Sequence, residues 1–282
     1  MTRFTVLDAP CNLGLRPPQP GFEPGVRRLA DALRACGLVK RLDASDAGRV
    51  DAPAYVSVPV NRAALVGYTR TLADRIGALL DAGERPLVLG GDCSILLGAM
   101  LALRRRARHG LVHIDGHLDF RHPGWSGGIG AVAGEDLAGV TGRLEPELSN
   151  IEGLGPYVLD TDTVHIGDRE GDPGELAAVA KTSITVRRLH ELRTSGPIVP
   201  AVPYWVHVDA DVIDSALLPA VDSPAPDGLT FDELATLLRD VVGGAVGVQV
   251  TVFDPDLDPD CTQARALTDC LVEGLTPTAS RA

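Results

Sequence analysis

Aromatic residues are scarce in this chain of 282 residues: phenylalanine, tryptophan and tyrosine together make up 4%. Basic residues are also few, since 26 lysines and arginines stand against 38 acidic residues and give a formal net charge of −12. A protein that binds nucleic acid usually presents a basic surface to the phosphates and, for single strands, aromatic rings to the bases. The composition therefore argues against nucleic acid as a partner.

Long apolar runs and paired cysteines are missing as well. No uninterrupted apolar stretch reaches the roughly 18 residues that a membrane-spanning helix requires, and the first residues, MTRFTVLDAP, predict a strand rather than a secretory leader. The five cysteines are Cys11, Cys36, Cys93, Cys261 and Cys270. They include no CxxC pair, which argues against a disulfide framework or a structural zinc site. We therefore predict a cytoplasmic protein with no membrane partner.

Short apolar runs that alternate with helical patterns are present along the whole chain, and this alternation is typical of a parallel sheet covered on both faces. The predicted strands are Phe4–Leu7, Leu87–Leu89, Leu111–Ile114, Thr163–Ile166, Ser183–Val186, Tyr204–Val208 and Val246–Val252. The predicted helices are Gly25–Cys36, Ala63–Ala82, Ile95–Arg106, Glu175–Lys181, Phe231–Val242 and a last one over 260–274. No composition shift marks a boundary, so we predict one α/β domain over residues 1–282.

Acidic residues follow three of these strands at the point where each strand ends. The segments are Gly90-Gly91-Asp92-Cys93-Ser94, Asp115-Gly116-His117-Leu118-Asp119 and Asp209-Ala210-Asp211-Val212-Ile213-Asp214. In parallel α/β sheets, ligands collect beyond the carboxyl ends of the strands. In extended chain, residues two apart point to the same side, which would bring the first, third and fifth residues of the second segment together.

Carboxylates that converge at the end of a buried sheet repel one another and lose hydration, so they require compensation. Two divalent cations would balance Asp115, Asp119, Asp209 and Asp211, and a pair about 3.5–4 Å apart can share and activate one water. Each segment alone has a structural interpretation: an Asp-x-Asp is often a turn or a helix cap, and Cys93 alone would be a small buried apolar residue. The combination favours a metal site.

Taken together, these segments resemble the motifs of the ureohydrolases, the family of arginase, agmatinase and formiminoglutamase. That family carries Gly-Gly-Asp-His-Ser, Asp-Ala-His-x-Asp and Ser-x-Asp-x-Asp-x-x-Asp-Pro, in this order, at the carboxyl ends of its sheet. Shorter segments extend the resemblance over nearly the whole chain. They are Pro24-Gly25-Val26-Arg27, the run from Ile166 to Glu175, and Gly228-Leu229-Thr230.

The resemblance implies a three-layer α-β-α domain with an eight-stranded parallel sheet and a dinuclear metal centre. The implied metal ligands are Cys93, Asp115, His117, Asp119, Asp209 and Asp211. The implied reaction is arginase-like: a hydroxide activated by two metal ions attacks the carbon of a guanidinium or amidine. Asp119 would also hydrogen-bond that hydroxide, and Asp172 and Glu175 would contact the amino group of the substrate. Family members are usually homo-oligomers, and we expect the same here.

Cys93 departs from the family pattern, which has a metal-binding histidine at this position. A thiolate is softer than an imidazole and carries a negative charge, which shifts metal preference away from manganese. Some hydroxyarginine hydrolases of the family resemble this chain in having cysteine here, together with segments like Asp115-Gly116-His117 and His207-Val208-Asp209. We therefore keep Cys93 as a ligand and expect two divalent ions, manganese first, with zinc, iron or nickel as alternatives.

Two further departures concern the substrate and the proton path. Matching Asp254 to the family's Asn-Pro segment places Val252 where a guanidinium-binding glutamate is expected, and a valine cannot offset a buried cation. Gln249 or Asp254 could reach the site instead, the substrate could be a neutral or hydroxylated amidine, or hydrolysis could be lost. The proton-shuttle histidine of arginases falls on Gly130, and His122 is the candidate replacement.

The sequence thus predicts a metal-dependent hydrolase of a linear C–N bond in a small guanidino or amidino compound. One alternative is a catalytically impaired member with a binding or structural role, which Val252 and Gly130 would suit. Another is a single-zinc enzyme like the deacetylases of this architecture, which need a tyrosine to polarise the amide carbonyl. The tyrosines are Tyr55, Tyr68, Tyr157 and Tyr204, and none lies at an obvious site.

Overall fold

A parallel sheet forms the centre of the computed structural model, which describes residues 3–56, 62–123, 131–169 and 172–276. Over these residues the sheet has eight strands, in the spatial order β2-β1-β3-β8-β7-β4-β5-β6, and every pairing is parallel. The strands are β1 (Phe4–Asp8), β2 (Ser45–Arg49), β3 (Arg85–Leu89), β4 (Gly110–Ile114), β5 (Thr163–Ile166), β6 (Thr185–Arg187), β7 (Tyr204–Asp209) and β8 (Ala245–Thr251). The eight-stranded parallel sheet implied by the sequence motifs is confirmed.

Helices cover both faces of this sheet. In the described ranges they are α1 (Leu29–Ala35), α2 (Leu38–Arg41), α3 (Arg62–Asp81), α4 (Leu96–Arg104), α5 (Asp136–Val140), α6 (Pro146–Ser149), α7 (Pro173–Val179), α8 (Leu189–Ser195), α9 (Phe231–Val242) and α10 (Thr262–Leu275). One apolar cluster joins the sheet to α1, α9 and α10, and a second joins it to α3, α4 and α5. Most side chains of the central strands are apolar on both faces because each face packs on a helical layer.

The edge strand β2 (Ser45–Arg49) was not predicted. Its sequence, SDAGR, has almost no apolar residue, and its side chains are largely exposed because it is the outermost strand. The predicted helix over Gly25–Cys36 is divided into a 3-10 turn, Gly25–Arg28, and α1. The capping box of α9 is confirmed: the Thr230 hydroxyl accepts a hydrogen bond from the Glu233 amide at 3.2 Å, and the Glu233 carboxylate accepts one from the Thr230 amide at 2.8 Å.

The spatial order of the strands brings the three acidic segments together. Strands β3, β8, β7 and β4 are consecutive neighbours, so the loops that follow them meet at one edge of the sheet. The loop after β3 requires glycine at position 91, because a Cβ there would lie 1.5 Å from the backbone oxygen of Cys11. No helix within the described ranges combines the length and the apolar character needed to cross a bilayer.

Candidate metal centre and substrate cavity

A cavity of about 550 Å³ opens at this edge of the sheet. Five of the six predicted metal ligands line it: Cys93, His117, Asp119, Asp209 and Asp211. The sixth, Asp115, is fully buried directly after β4 and accepts a hydrogen bond from the backbone amide of His117, a lining residue. The structure therefore brings all six residues to one place.

One group of potential ligand atoms consists of Asp115, His117 and Asp211, whose atoms lie within 4.8 Å of one another. The Nδ1 atom of His117 is 2.9 Å from Oδ2 of Asp211. The backbone amide of His117 donates to Oδ1 of Asp115 at 2.6 Å, which holds that carboxylate against the loop. The mixture of carboxylate oxygens and one imidazole suits manganese, zinc or iron.

A second group combines Cys93, Asp115, His207 and Asp209, whose potential ligand atoms lie within the same limit. The Cys93 thiol donates to Oδ2 of Asp209 at 2.7 Å and lies 3.1 Å from the Thr251 hydroxyl. Asp115 belongs to this group as well as to the first. If ions occupied both groups, Asp115 would contribute to each of them. The second oxygen of Asp115, Oδ2, is buried and has no hydrogen-bond partner.

The charges of these groups are poorly compensated by the protein itself. Burial, and after it the charge of neighbouring carboxylates, raises the pKa of Asp115, Asp119 and Asp209 well above the usual range. Burial, reinforced by Asp209, also raises the pKa of the Cys93 thiol. Divalent cations would remove this repulsion and favour the ionised forms, so the residues present fit a metal centre.

The predicted motif Asp209-x-Asp211-x-x-Asp214 divides between two roles. Asp209 and Asp211 line the cavity, whereas the Asp214 carboxylate accepts hydrogen bonds from the amides of Ala216 at 2.8 Å and Gly228 at 3.2 Å. Asp214 is therefore a turn residue. Asp119 reaches the cavity through a left-handed backbone, φ +48°, rather than through the extended chain that the spacing assumed.

The predicted substrate-binding residues, Asp172 and Glu175, both line the cavity. Asp172 caps α7, since its carboxylate accepts a hydrogen bond from the Gly174 amide at 2.7 Å. The Glu175 carboxylate lies 3.3 Å from Nε of Arg121, and burial raises the pKa of Glu175 in spite of that guanidinium. Arg188 lines the same cavity, so its wall carries charges of both signs.

Several other predicted residues do not line the cavity. Nδ1 of His122 is 3.0 Å from the carbonyl oxygen of the adjacent residue, Pro123. His122 does not line the cavity. Gln249 is fully buried, and Asp254 is bound to the Gly25 amide at 3.0 Å, so neither takes the place of the missing glutamate. Gly130 lies outside the described residues.

Asp168 and Arg169 are cavity residues that the sequence interpretation did not assign. Asp168 follows β5, is fully buried, and neither of its carboxylate oxygens has a hydrogen-bond partner. Its nearest cation is Arg188, whose Nε is 3.8 Å from Oδ2. Arg169 donates to the carbonyl oxygens of Asp211 and Ile213, while its Nε and Nη1 atoms have no partner. An acid two residues after the end of a predicted strand was the available signal for Asp168.

Val252 adopts a left-handed backbone, φ +74°, which is rare for a β-branched residue and costs on the order of 1–3 kcal/mol. Its amide donates to the carbonyl oxygen of Gly91 at 2.7 Å, and its side chain lines the cavity. The strained position is thus part of the wall beside the candidate ligands, and it offers an apolar surface there.

Comparison with known proteins agrees with this geometry. The model of the arginase family matches residues 2–275. The chain belongs to the arginase family. An arginase from Agrobacterium fabrum is 28% identical, with 92% of this chain and 88% of that protein aligned. The N(omega)-hydroxy-L-arginine amidinohydrolase of Streptomyces lavendulae is 29% identical, with 84% of each aligned.

The fold of this arginase-family protein matches solved structures as well. The arginase of Bacillus subtilis superposes with a TM-score of 0.87 over 99% of each chain, at 23% sequence identity. The predicted three-layer α-β-α fold and the ureohydrolase resemblance are confirmed, and the protein is a hydrolase of this family.

Proposed function

We propose that this arginase-family protein is a dinuclear metal-dependent amidinohydrolase, which cleaves a linear C–N bond in a small guanidino or amidino compound. The observation that carries the proposal is the position of Asp115 in both groups of ligand atoms. Ions that share a carboxylate lie close enough to act on one water. The names of the relatives, arginase and N(omega)-hydroxy-L-arginine amidinohydrolase, support the same class of reaction.

The proposed ligands are those predicted from the motifs: Cys93, Asp115, His117, Asp119, Asp209 and Asp211. We expect two manganese ions, with zinc, iron or nickel as alternatives because of the sulfur of Cys93. When bound, such ions supply positive charge that activates a water and polarises the amidine carbon. The protein is predicted to be cytoplasmic and homo-oligomeric, as its sequence suggested.

The residues around the centre would bind and orient the substrate. Asp119 would accept a hydrogen bond from the attacking water, and Asp172 and Glu175 would meet an amino group. Asp168 would supply a carboxylate for a cationic part of the substrate, since Val252 cannot. Its burial and its lack of hydrogen-bond partners support this role. Because Arg188 also lines the cavity, a substrate with an anionic end is favoured.

The deacetylase-like alternative lacks support, because none of the four tyrosines lines the cavity. Each tyrosine hydroxyl already donates to a backbone carbonyl; the acceptors are Leu15 for Tyr55, Val50 for Tyr68, Leu148 for Tyr157 and Val241 for Tyr204. A catalytically impaired member remains the second candidate function, and the apolar side chain of Val252 is the observation that favours it.

The test loads the purified protein separately with manganese, zinc, iron(II) and nickel. Bound metal is counted, and release of urea or ammonia from a panel of guanidino and amidino compounds is measured. We expect about two ions per chain and turnover of at least one compound. Two bound ions without turnover of any compound would favour the impaired member, and no bound ion would refute the dinuclear hydrolase.

A matched pair of variants lies within one motif. Asp211→Asn should reduce the metal content and the turnover, because Asp211 belongs to a ligand group. Asp214→Asn should keep both, because the Asp214 carboxylate only accepts hydrogen bonds from backbone amides.

A further inference from the structure

A row of buried polar side chains crosses the sheet next to the candidate metal centre. His165, His113, His207 and Gln249 occupy paired positions on β5, β4, β7 and β8, respectively. All four are fully buried. Strands of a parallel sheet that is covered on both faces are normally apolar, so a polar row across four of them requires an explanation.

The proton positions along part of this row follow from Trp205. An indole nitrogen can only donate, and Nε1 of Trp205 lies 3.0 Å from Oε1 of Gln249. The amide nitrogen of Gln249 therefore faces Nδ1 of His207, at 2.7 Å, and donates to it. Neutral His207 then carries its proton on Nε2, so it has no lone pair there to offer to a metal ion.

The rings of His113 and His207 both turn their Nε2 atoms toward Asp136, the first residue of α5. The two rings are stacked, with centroids 4.7 Å apart and an angle of 14° between their planes. Nε2 of His113 is 3.1 Å from Oδ1 of Asp136, and Nε2 of His207 is 3.8 Å from Oδ2. His113 therefore holds the carboxylate by a hydrogen bond, whereas Nε2 of His207 faces Oδ2 from beyond hydrogen-bond distance.

Asp136 itself is fully buried and incompletely satisfied. Its Oδ1 accepts the hydrogen bond from His113, whereas Oδ2 has no hydrogen-bond partner among the described residues. On its other side Asp136 approaches the metal centre, because it forms a group with Cys93 and Asp119 whose ligand atoms lie within 4.8 Å of one another. A buried carboxylate oxygen without a partner is costly, and a cation on this side would satisfy it.

We propose that Asp136 is a seventh protein ligand of the metal centre, which binds the ion on the Cys93 side through Oδ2. The inference rests on the dinuclear centre proposed above. His113 is a positioning residue: its hydrogen bond to Oδ1 orients the carboxylate, as hydrogen-bond donors commonly do for carboxylate ligands of metals.

The direct test is a crystal structure of the unmodified protein loaded with cobalt(II), with the ions located by anomalous scattering. We expect an oxygen of Asp136 at about 2.0–2.2 Å from one ion, the usual range for a carboxylate on a divalent transition metal. An Asp136 carboxylate that contacts no ion, while two ions are bound by the other ligands, overturns this inference alone. A protein without bound ions overturns the proposed function, and this inference with it.

Variants add a measurement in solution. Asp136→Asn should weaken the binding of one of the two ions by about tenfold or more in a competition with a chelator. Asp168→Asn is the matched control. This substitution removes another buried carboxylate, but Asp168 belongs to none of the ligand groups. The control variant should therefore bind both ions as the unmodified protein does. Equal affinities in all three proteins contradict the inference.

Asp136→Cys separates a ligand from a merely structural residue. A thiolate at this position should add sulfur-to-cobalt charge-transfer absorption to that contributed by Cys93, which a structural role would not produce. If the folded variant binds cobalt with the spectrum of the unmodified protein, Asp136 is not a ligand.

Discussion

Asp115→Asn should stabilise the metal-free protein and destabilise the metal-loaded one. Asp115 is fully buried, its Oδ2 atom has no hydrogen-bond partner, and Asp119 and Asp211 repel its charge. An asparagine keeps an oxygen for the His117 amide and adds an NH₂ group that can donate to a neighbouring carboxylate. Relief of an unsatisfied buried charge should raise the free energy of unfolding by about 1–3 kcal/mol, which corresponds to a few degrees in Tm.

The pH dependence of this gain follows from the pKa of Asp115. Burial, before the neighbouring charges, raises that pKa in the folded protein above its value in the unfolded chain. The contribution of protonated Asp115 to the stability of the metal-free protein is therefore fully present below the ordinary carboxylate pKa. It is lost as the pH rises through the raised pKa of the folded protein. The variant should gain most at neutral pH and little in acid.

Metal reverses the sign of the effect. An ion present at 100 times its Kd stabilises a protein by about 2.7 kcal/mol, and Asp115→Asn should lose much of this because Asp115 belongs to both ligand groups. Thermal unfolding with EDTA and with manganese, each at about pH 5 and about pH 7.5, gives the difference in Tm between the variant and the unmodified protein under all four conditions.

Asp168→Asn serves as the control, since it also removes a buried, unpartnered carboxylate and should keep the stabilisation by metal. The reasoning fails if Asp115→Asn destabilises the metal-free protein at neutral pH, or if it retains full stabilisation by manganese.

Three other changes give distinct outcomes. Val252→Glu should lower the KM of guanidino substrates, because a carboxylate at this cavity position would compensate a cation. Steady-state kinetics with the panel of compounds measures this KM, and an unchanged value would contradict the prediction. Cys261, which is exposed, should react with a thiol reagent well before buried Cys93 in the metal-free protein, and equal rates would contradict the burial of Cys93. Gly247→Ala should destabilise the fold by about 1–3 kcal/mol in denaturant titrations, because its Cβ would lie 2.2 Å from the Trp205 ring; an unchanged midpoint would mean that the ring can move.

The candidate metal ligands could be predicted from the sequence because the segments that carry them begin at the ends of β3, β4 and β7. In a parallel sheet such positions meet at one edge, so the rule required only that the strands be recognised and be neighbours. Asp214 shows where this rule stops. The spacing of Asp214 fits the motif, but its side chain does not line the cavity. Its carboxylate accepts hydrogen bonds from backbone amides instead.

The polar row and Asp136 could not be predicted in this way. His113, His165 and His207 are each a single histidine in an apolar strand, and only the register between strands places them side by side. Asp136 is the first residue of a helix of only five residues, which is too short to show a helical periodicity in the sequence. The edge strand β2 was missed for a related reason, since an exposed strand needs no apolar residues.

The sharing of Asp115 between two ligand groups has a consequence for how the site fills. If Asp115 holds both ions, the two binding events are linked, because the first ion would remove the proton that competes for that carboxylate while its charge opposes the arrival of the second. The rise of occupancy with free metal concentration would then differ from that of two independent sites, and its steepness would report which of the two effects is larger.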